Sequence, residues 1–433
     1  MLLGRYVFVM TIISVFISQI SEAQAAGSGA FRAEIPDAGA MGKGSAFVGE
    51  ANTPAAVYYN PAGLTQIKSR ELSVGTTFLG PQVDYKNSSG AETQMRRNTF
   101  LIPHFYAVTP VNSKLAIGLG ATSYFGLGTE WADDSSLKYV ATESSIENKD
   151  YMLTAAYQVT DQWSVAVSAD SDDSKVSKKK KLLQGGIGDD GNFQLKAKHD
   201  GWGYRLATLY KVNEQHQFGL MYRSPIRHKY RGKAYLDNLN NNNGSAPYQA
   251  IFGGTSYETE FSEEFVLPQS VVLGYSFKPI SKWTFNLDVE WMDWSSVEQE
   301  RINWESESDA TRLSVLNDGN PASRDWKSAF SQAIGAEYAV SNRFRLRGGY
   351  YHHQTPIPQD TFEPNLPDSN SHGLTTGFGY DLNKNLTFDL AYSGLIYEKR
   401  KIDNNVGSSS GASIDGAYRQ FINVLLGTVS YRF

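Results

Sequence analysis

Histidines are the residues that could give this 433-residue chain catalytic or metal chemistry. His352 and His353 are the only adjacent pair among seven histidines, and the chain has no cysteine. A zinc site usually needs further histidine or cysteine ligands at close spacing, and no His-Glu-x-x-His motif accompanies this pair. We therefore expect no enzyme, no metal site and no cofactor. A lipase whose Ser-His pair is assembled only by the fold stays open.

Three arginines alternate with apolar residues in one short run: Arg343, Arg345 and Arg347. Side chains on a β-strand point to opposite faces in turn, so the three share one face. In a barrel we expect this face to line the lumen. There the arginines would form a charge ladder paired with Asp288, Glu290 or Asp389, and guidance of an anionic substrate is the alternative.

The elements that must position such residues are β-strands. Residues 282–291 alternate apolar and polar side chains without a break, and 270–277 and 386–393 repeat the pattern. A soluble sandwich would turn the polar face outward, whereas an outer-membrane barrel turns it into a wet lumen and its apolar face to lipid. Counting such runs predicts about a dozen to sixteen strands.

The two ends of the chain favour the membrane barrel. Arg5 precedes an apolar run over residues 6–17, and the small residues Ala23 and Ala25 flank a cleavage site after Ala25 or Ala26. That run is too short to cross about 30 Å of hydrocarbon. At the other end the chain stops on Phe433, with Tyr431 two residues earlier. This ending resembles the C-terminal strand that the outer-membrane assembly machinery recognises. The sequence thus predicts export and a location in the Gram-negative outer membrane.

Charge and composition limit the classes of partner that the protein can bind. The formal net charge is -5 and the mean hydropathy is -0.39. No sustained basic face is visible, so we expect no nucleic-acid partner. Outer-membrane lipids are the expected surroundings. Long polar inserts, typical of surface loops, lie at 238–245, 304–323 and 404–413, and short turns separate the other strands.

Residues 29–64 are not strand-like. They are rich in glycine and alanine and end in Asn60-Pro61-Ala62-Gly63. Pro61 removes a backbone donor, and the Asn60 side chain can hold a turn by bonding nearby backbone. An ordinary tight turn is one interpretation. The position ahead of all strands favours a second one, a plug inside the barrel whose turn forms part of a gate.

The order of several short motifs resembles the FadL-type (OmpP1/FadL/TodX-like) transporters of long-chain fatty acids and hydrophobic compounds. The resemblance covers essentially the whole mature chain. It is carried near the start by Gly29-Ala30-Phe31, residues 42–50 and Asn60-Pro61-Ala62-Gly63. Farther on it is carried by Tyr222-Arg223-Ser224, Leu267-Pro268, Trp294-Ser295, Trp326-Lys327 and Pro356-Ile357-Pro358.

This resemblance implies an all-β fold, a transmembrane antiparallel barrel of about 14 strands with an N-terminal hatch in the lumen. The predicted division is a signal peptide at 1–25, the hatch at 26–66 and the barrel at 67–433. Substrate is then captured on the extracellular side, passes the hatch and leaves sideways where the third strand is kinked. The implied partner is a long-chain fatty acid or another hydrophobic small molecule.

The third-strand candidate, residues 115–129, contains four glycines, which weaken a strand and permit a bend. We expect the kink at Ser123, Tyr124, Phe125 and Gly126. Relief of crowding against the plug is the alternative explanation for the glycines. The run lacks the spacing of a nucleotide-binding loop.

The resemblance also implies ligand contacts. Lys175 and Lys327 fall where the family places basic residues that meet a carboxylate, and Phe31 is expected to enter the apolar pocket. The lysine-rich run that follows Lys175 departs from the family pattern and also fits a solvated strand end. Passive uptake of fatty acids is the leading hypothesis. Uncharged aromatic hydrocarbons, a general porin and an adhesin-like barrel are the alternatives.

Overall fold

The computed structural model describes residues 29–33, 36–184, 189–239 and 247–433. The predicted signal peptide and its cleavage site therefore lie outside the described residues. Four short α-helices occur in this part of the chain: α1 (Ala38–Met41), α2 (Ala56–Tyr59), α3 (Pro247–Phe252) and α4 (Ala310–Leu316). Three 3-10 helices accompany them at Pro61–Gln66, Trp294–Ser296 and Ser408–Ser410. Within the described ranges, no helix combines the length and apolar composition needed to cross a bilayer.

The remaining regular structure is β-strand. In chain order the strands are β1 (Glu71–Asn87), β2 (Glu92–Gln94), β3 (Phe100–Pro110), β4 (Leu115–Thr122), β5 (Gly126–Glu130), β6 (Glu143–Gln158), β7 (Trp163–Leu182), β8 (Gly191–Lys211), β9 (His216–Arg223), β10 (Ile226–Asp237), β11 (Tyr257–Leu267), β12 (Ser270–Ile280), β13 (Trp283–Met292), β14 (Gln299–Glu300), β15 (Ile302–Trp304), β16 (Ala322–Ser323), β17 (Ala329–Ala339), β18 (Phe344–His353), β19 (Ser371–Asp381), β20 (Leu386–Tyr397), β21 (Arg400–Ile402) and β22 (Gly416–Arg432).

These strands close into one antiparallel barrel. The first and last strands pair over their whole length, from Glu71 opposite Arg432 to Asn87 opposite Gly416. Six wall strands consist of two segments each: β2 with β3, β4 with β5, β9 with β10, β11 with β12, β13 with β15, and β20 with β21. β14 and β16 pair only with each other, outside the wall. Together with the uninterrupted strands they make a wall of fourteen, as predicted. Closure removes the free sheet edges that lipid cannot satisfy.

The wall has an apolar outside and a polar inside. Along β13 the predicted alternation is confirmed, because Phe285, Leu287 and Val289 are exposed while Asn286, Asp288 and Glu290 are buried. Elsewhere Trp202 is 70% exposed and Leu374 is 60% exposed. Large exposed apolar side chains of this kind form the lipid-facing belt of an outer-membrane barrel.

Residues 29–33 and 36–67, here called the N-terminal segment, lie inside the ring of strands. Their backbone bonds to inward-facing wall side chains. The amides of Phe47 and Val48 donate to Asp288 Oδ2 at 2.8 and 2.9 Å, and the Ala38 amide donates to Thr428 Oγ1 at 3.0 Å. These bonds satisfy backbone donors that neither helix nor sheet satisfies.

Wall glycines allow this close approach. A Cβ added at Gly335 would lie 2.0 Å from the Lys43 carbonyl oxygen, and one at Gly219 would lie 2.1 Å from the Val48 carbonyl oxygen. No real side chain tolerates such distances, so only glycine fits where the N-terminal backbone touches the wall.

Candidate functional site

An apolar cavity of about 700 Å³ lies between the N-terminal segment and the extracellular loops. We call it the upper cavity. Most of its wall is aliphatic or aromatic, with contributions from Phe31, Leu127, Ile146, Val176, Phe265, Leu267, Trp326, Ile357 and Leu366. An aliphatic and aromatic lining of this kind suits apolar molecules.

Phe31 enters the upper cavity from the N-terminal segment. Its ring centroid lies 5.6 Å from Phe265, 5.9 Å from Trp294 and 5.4 Å from Trp326. Edge-to-face and tilted contacts at these distances are favourable between aromatic rings. The structure therefore brings Phe31 to the apolar pocket, and its contact with a ligand stays a prediction.

Charged side chains close the extracellular end of the upper cavity. Lys178 Nζ lies 2.8 Å from Glu300, while Arg324 lies 2.9 Å from Glu300 and 2.7 Å from Glu363. We call Lys178, Glu300, Arg324 and Glu363 the charged mouth. Burial alone would raise the pKa of Glu300, but the charges of Arg324 and Lys178 hold that pKa well below its usual range.

A vestibule of about 2150 Å³ lies on the other side of the charged mouth. Lys178, Glu300, Arg324 and Glu363 line both spaces. The vestibule also exposes apolar side chains, among them Leu182, Phe193, Tyr248, Val315 and Val406. A hydrophobic molecule can thus make apolar contacts on both sides of the mouth.

The two lysines expected from the resemblance do not reach these spaces. Lys175 is exposed, because Ser174 and Val176 are the residues that β7 turns inward at that point. Lys327 is also exposed, and its amide donates to the Pro356 carbonyl oxygen at 2.8 Å. Contact of either lysine with a ligand stays a prediction. Two nearby cations line the upper cavity instead: Lys178, three residues after Lys175, and Arg324, three residues before Lys327.

The parity of β7 could have identified Lys178 from sequence. Asp170, Asp172 and Ser174 are buried on the lumen side, and counting on by two reaches Val176 and Lys178. Arg324 could not be found this way because it lies in a connection after β16. Its pairing with Glu363 depends on how two extracellular loops pack.

The third wall strand is interrupted at the predicted kink. β4 ends at Thr122 and β5 begins at Gly126. Between them the Tyr124 amide donates to Asp150 Oδ2 at 2.8 Å, and the Ala33 amide donates to the Tyr124 carbonyl oxygen at 2.9 Å. The Gly126 amide donates to the Phe31 carbonyl oxygen at 2.7 Å, so Ser123, Tyr124, Phe125 and Gly126 turn inward onto the N-terminal segment.

This interruption leaves β5 with one strand neighbour in the described part of the chain. β3 pairs with β4 from Phe105 to Pro110, whereas β5 pairs with β6. On its other side, the Arg96 amide donates to the Glu130 carbonyl oxygen at 2.8 Å. A cavity of about 260 Å³, here called the side cavity, lies against β5 and shares Leu127 and Leu366 with the upper cavity.

A second interior space of about 640 Å³, the lower cavity, lies between the N-terminal segment and the wall. Buried ion pairs surround it. Arg205 lies 2.6 Å from Asp170 and Arg223 lies 2.7 Å from Asp150, while Arg32 pairs with Glu290. Sequence reasoning did not single out Arg205, and it quoted Arg223 only within a motif that carries the resemblance, although strand parity places both inward.

The Asn60-Pro61-Ala62-Gly63 turn packs against the wall below the lower cavity. The Asn60 side chain accepts from the Ala62 amide at 3.1 Å and donates to the carbonyl oxygens of Val48 and Thr208 at 2.9 and 3.1 Å. A Cβ at Gly63 would lie 2.0 Å from the Ala51 carbonyl oxygen. The turn is thus a joint between segment and wall, and its gating role stays a prediction.

The arginine ladder lines an opening of about 1580 Å³ at the end of the barrel where the strand connections are short. Arg347 bonds Glu337 and Asp389 at 2.7 and 2.5 Å, and Arg345 bonds Asp381 at 2.8 Å. Arg343 is exposed beside them. Asp389 was an expected partner, whereas Asp288 and Glu290 bond the N-terminal segment and Tyr124 instead.

One stretch matches the Gly-x-Ser-x-Gly spacing of a serine nucleophile. Gly407–Gly411 forms a 3-10 turn between β21 and β22, with positive φ angles of 82° and 72° at its two glycines. A nucleophile elbow needs a strand that turns directly into a helix. This stretch lacks that context.

The chain end also has a defined place. The Phe433 amide donates to the Arg70 carbonyl oxygen at 3.0 Å, and the Phe433 ring meets Tyr431 edge to face at 4.9 Å. The Phe433 side chain is 57% exposed. Its recognition by assembly machinery stays a prediction.

Known proteins share this architecture and sequence. Residues 18–433 match the family described as outer membrane protein transport protein (OMPP1/FadL/TodX). A putative outer membrane protein of Neisseria meningitidis serogroup B is 24% identical, covering 91% of this chain and 92% of its own. A long-chain fatty acid transport protein of Escherichia coli O6:H1 is 24% identical, covering 87% and 89%.

Solved structures agree on the fold. A FadL homologue from Pseudomonas aeruginosa superposes with a TM-score of 0.81 at 18% identity, covering 93% of this chain and all of its own. The toluene transporter TbuX of Ralstonia pickettii superposes with a TM-score of 0.68 at 19% identity, covering 92% and 98%. With a family match over nearly its whole length, this chain belongs to the OMPP1/FadL/TodX family of outer membrane transport proteins and resides in the outer membrane.

Proposed function

We propose that the protein carries long-chain fatty acids or similar hydrophobic molecules passively across the outer membrane. The observation that supports this most directly is the upper cavity, an apolar space entered from the vestibule through the charged mouth. A fatty acid has the matching halves, an alkyl tail for the apolar wall and a carboxylate for the cations. The long-chain fatty acid transport protein among the relatives is consistent with this substrate class.

The carboxylate would bind at Arg324 and Lys178. Arg324 directs one N–H group to Glu300 and another to Glu363. A guanidinium has five N–H donors in all, so others remain. A fatty acid carboxylate can therefore accept from the free donors or replace Glu363. Hydrogen bonds to charged groups of this kind are the strong ones.

The exit we propose is sideways. The side cavity continues the upper cavity past Leu127 and Leu366 towards β5, whose edge facing β3 lacks a continuous ladder in the described residues. The N-terminal segment would act as the hatch that closes the axial route. A general porin would need that axial route open, so this arrangement disfavours a porin.

An uncharged aromatic hydrocarbon is the second candidate substrate. The cations of the mouth are already paired with Glu300 and Glu363, and the cavity is rich in aromatic rings, including Phe31, Phe265 and Trp326. Such a molecule would need no cation. The toluene transporter among the similar structures is consistent with this alternative.

Arg324→Gln compared with Lys327→Gln separates the two substrates. The two residues are close in sequence, but one is buried in the mouth and the other is exposed. We expect Arg324→Gln to weaken oleate binding roughly 10- to 100-fold, the value of a charge-assisted hydrogen bond, and to leave toluene binding near that of the parent. Lys327→Gln should change neither.

Binding of both ligands is measured on the purified barrel, with heat-modifiable migration on gels as the check of folding. Unchanged oleate affinity in a folded Arg324→Gln protein would contradict the carboxylate site. Tight toluene binding together with no oleate binding by the parent would favour the aromatic candidate.

A further inference from the structure

The outer surface of the wall carries a row of three exposed cations. Lys175 on β7 lies directly opposite Lys198 on β8, and Lys198 lies directly opposite Arg231 on β10. Cβ atoms of directly opposed residues are about 4.5–5.5 Å apart, and like charges at that spacing destabilise a sheet. The row therefore favours an anion bound outside the wall.

Acidic residues on the neighbouring strand β11 offset this row only in part. Glu260 lies opposite Lys233 and diagonal to Arg231. Glu264 pairs with Arg227 at 3.2 Å and Glu258 pairs with Lys233 at 2.5 Å, which leaves neither available to Arg231. Across from Arg231 on β11 is Ser262. In the described part of the chain, neither Lys198 nor Arg231 forms an ion pair.

The surroundings of the row are also basic on balance. Glu147 lies opposite Lys175 at one end, and Asp173 and Asp200 oppose each other one row nearer the periplasm. The same face also carries basic side chains, Lys149, Lys196, Lys229 and Lys233, and acidic ones, Glu258, Glu260 and Glu264. With Arg227 included, the face has a small excess of positive charge, and an acidic strip lies beneath the row.

The height of the row on the wall points to the class of anion. On β8 the lipid-facing belt begins at Trp202, which is 70% exposed, and continues through Tyr204, Leu206 and Tyr210. Lys198 lies four residues above Trp202 on the same strand, with Asp200 between them. At 3.3 Å per residue this is about 13 Å along the strand, or roughly 10 Å in height once strand tilt is included. That is the headgroup level of the extracellular leaflet.

We propose that the Lys175–Lys198–Arg231 row binds the phosphate groups of an anionic glycolipid in the outer leaflet. Arginine and lysine form charge-assisted bonds to phosphate oxygens, and basic clusters beside a lipid-facing surface recruit anionic headgroups. The acyl chains of the same lipid would lie along the aromatic belt below. This surface is separate from the transport route, because its side chains point away from the lumen.

The test measures lipid binding to the purified full-length mature barrel in neutral detergent. The probes are lipid A with two phosphates and the same lipid after enzymatic removal of its phosphates, both in EDTA so that metal bridges do not contribute. The row variant carries Lys175→Gln, Lys198→Gln and Arg231→Gln. The control variant loses the same charge in exposed periplasmic turns through Lys114→Gln, Lys282→Gln and Lys384→Gln.

We expect the row variant to bind phosphorylated lipid A on the order of 100-fold more weakly than the parent, since each basic residue near a membrane surface contributes substantially. The control variant should bind like the parent, and a Lys175→Arg, Lys198→Arg, Arg231→Lys protein should retain binding. Equal affinity of parent and row variant would overturn the proposal. So would equal affinity of the parent for the phosphorylated and dephosphorylated lipids, or no binding in EDTA.

Discussion

The upper and lower cavities meet at two consecutive residues but differ in where their charged side chains lie. Phe31 lies in the upper cavity among aromatic rings, and Arg32 lines the lower cavity and pairs with Glu290. Above this boundary the aliphatic and aromatic wall lies next to Phe31, and the ion pairs of the charged mouth lie at the extracellular end. Below it are buried ion pairs such as Arg223 with Asp150. An apolar molecule has favourable contacts above and would have to disturb desolvated charges below.

This difference explains why the route we propose turns sideways. Continuing straight down would place an alkyl chain or an aromatic ring against Arg205, Arg223 and their partners. The side cavity offers Leu127, Val83 and Met95 instead. In the proposed route the lower region serves as a rigid floor, and the upper region as the path.

Removing a buried arginine of the floor should have the largest effect. Arg223→Ala leaves Asp150 buried without its partner and removes the guanidinium that lies 3.9 Å over the Tyr124 ring. We expect unfolding to become easier by about 3–5 kcal/mol. The measurement is the free energy of unfolding by urea in lipid vesicles, with tryptophan fluorescence as the signal that monitors unfolding.

Arg227→Ala is the matched control for that change. Arg227 pairs with Glu264 at 3.2 Å on the exposed outer surface, where such a pair contributes about 1 kcal/mol or less. A loss for Arg223→Ala no larger than for Arg227→Ala would break the contrast between a rigid floor and an ordinary wall.

Blocking the side cavity should have the next largest effect. Leu127→Trp adds bulk where the upper and side cavities share a wall. If overpacking adds about 1–3 kcal/mol to the barrier, uptake slows roughly 5- to 150-fold. Oleate uptake is measured in cells that lack other transporters, with Leu119→Trp as control because Leu119 is 49% exposed on β4. Normal uptake by a folded Leu127→Trp protein would rule out this exit.

The smallest expected effect concerns the bond that pins the N-terminal segment to an extracellular loop. The Ala30 amide donates to Asp368 Oδ2 at 3.0 Å, and burial raises the pKa of Asp368 from 3.8 to about 6. Because the folded state holds this proton more tightly than the unfolded state, its contribution to stability declines as pH rises from about 4 to about 6 and then levels off.

Thermal unfolding of the parent and of Asp368→Asn across this pH range measures the effect. The difference in unfolding temperature between the two proteins should change between pH 4 and pH 6 and stay constant above pH 6. Asp360→Asn is the control, since Asp360 is exposed in the same loop. A parent-minus-variant difference that is independent of pH would show that Asp368 does not titrate in this window.

Much of the fold could be predicted from sequence because each strand carries its own pattern. The alternation in residues 282–291 predicts both the strand and its orientation, and β13 has that orientation. The non-strand character of 29–64 predicts a separate element ahead of the barrel. The same parity applied to β7 selects Lys178 rather than Lys175 as a lumen-facing lysine, so the signal for the inward residue was present in the sequence.

Other features depend on residues that no local pattern connects. Glu300, Arg324 and Glu363 come together only because separate extracellular connections pack over the upper cavity. Likewise Phe31 finds Phe265 and Trp326 more than two hundred residues away. The alternation of apolar and polar residues predicts the face of the sheet on which a side chain lies, because the face depends on one strand alone. Which partners share that face is decided by closure of the barrel and by the N-terminal segment inside it, and these are properties of the tertiary structure alone.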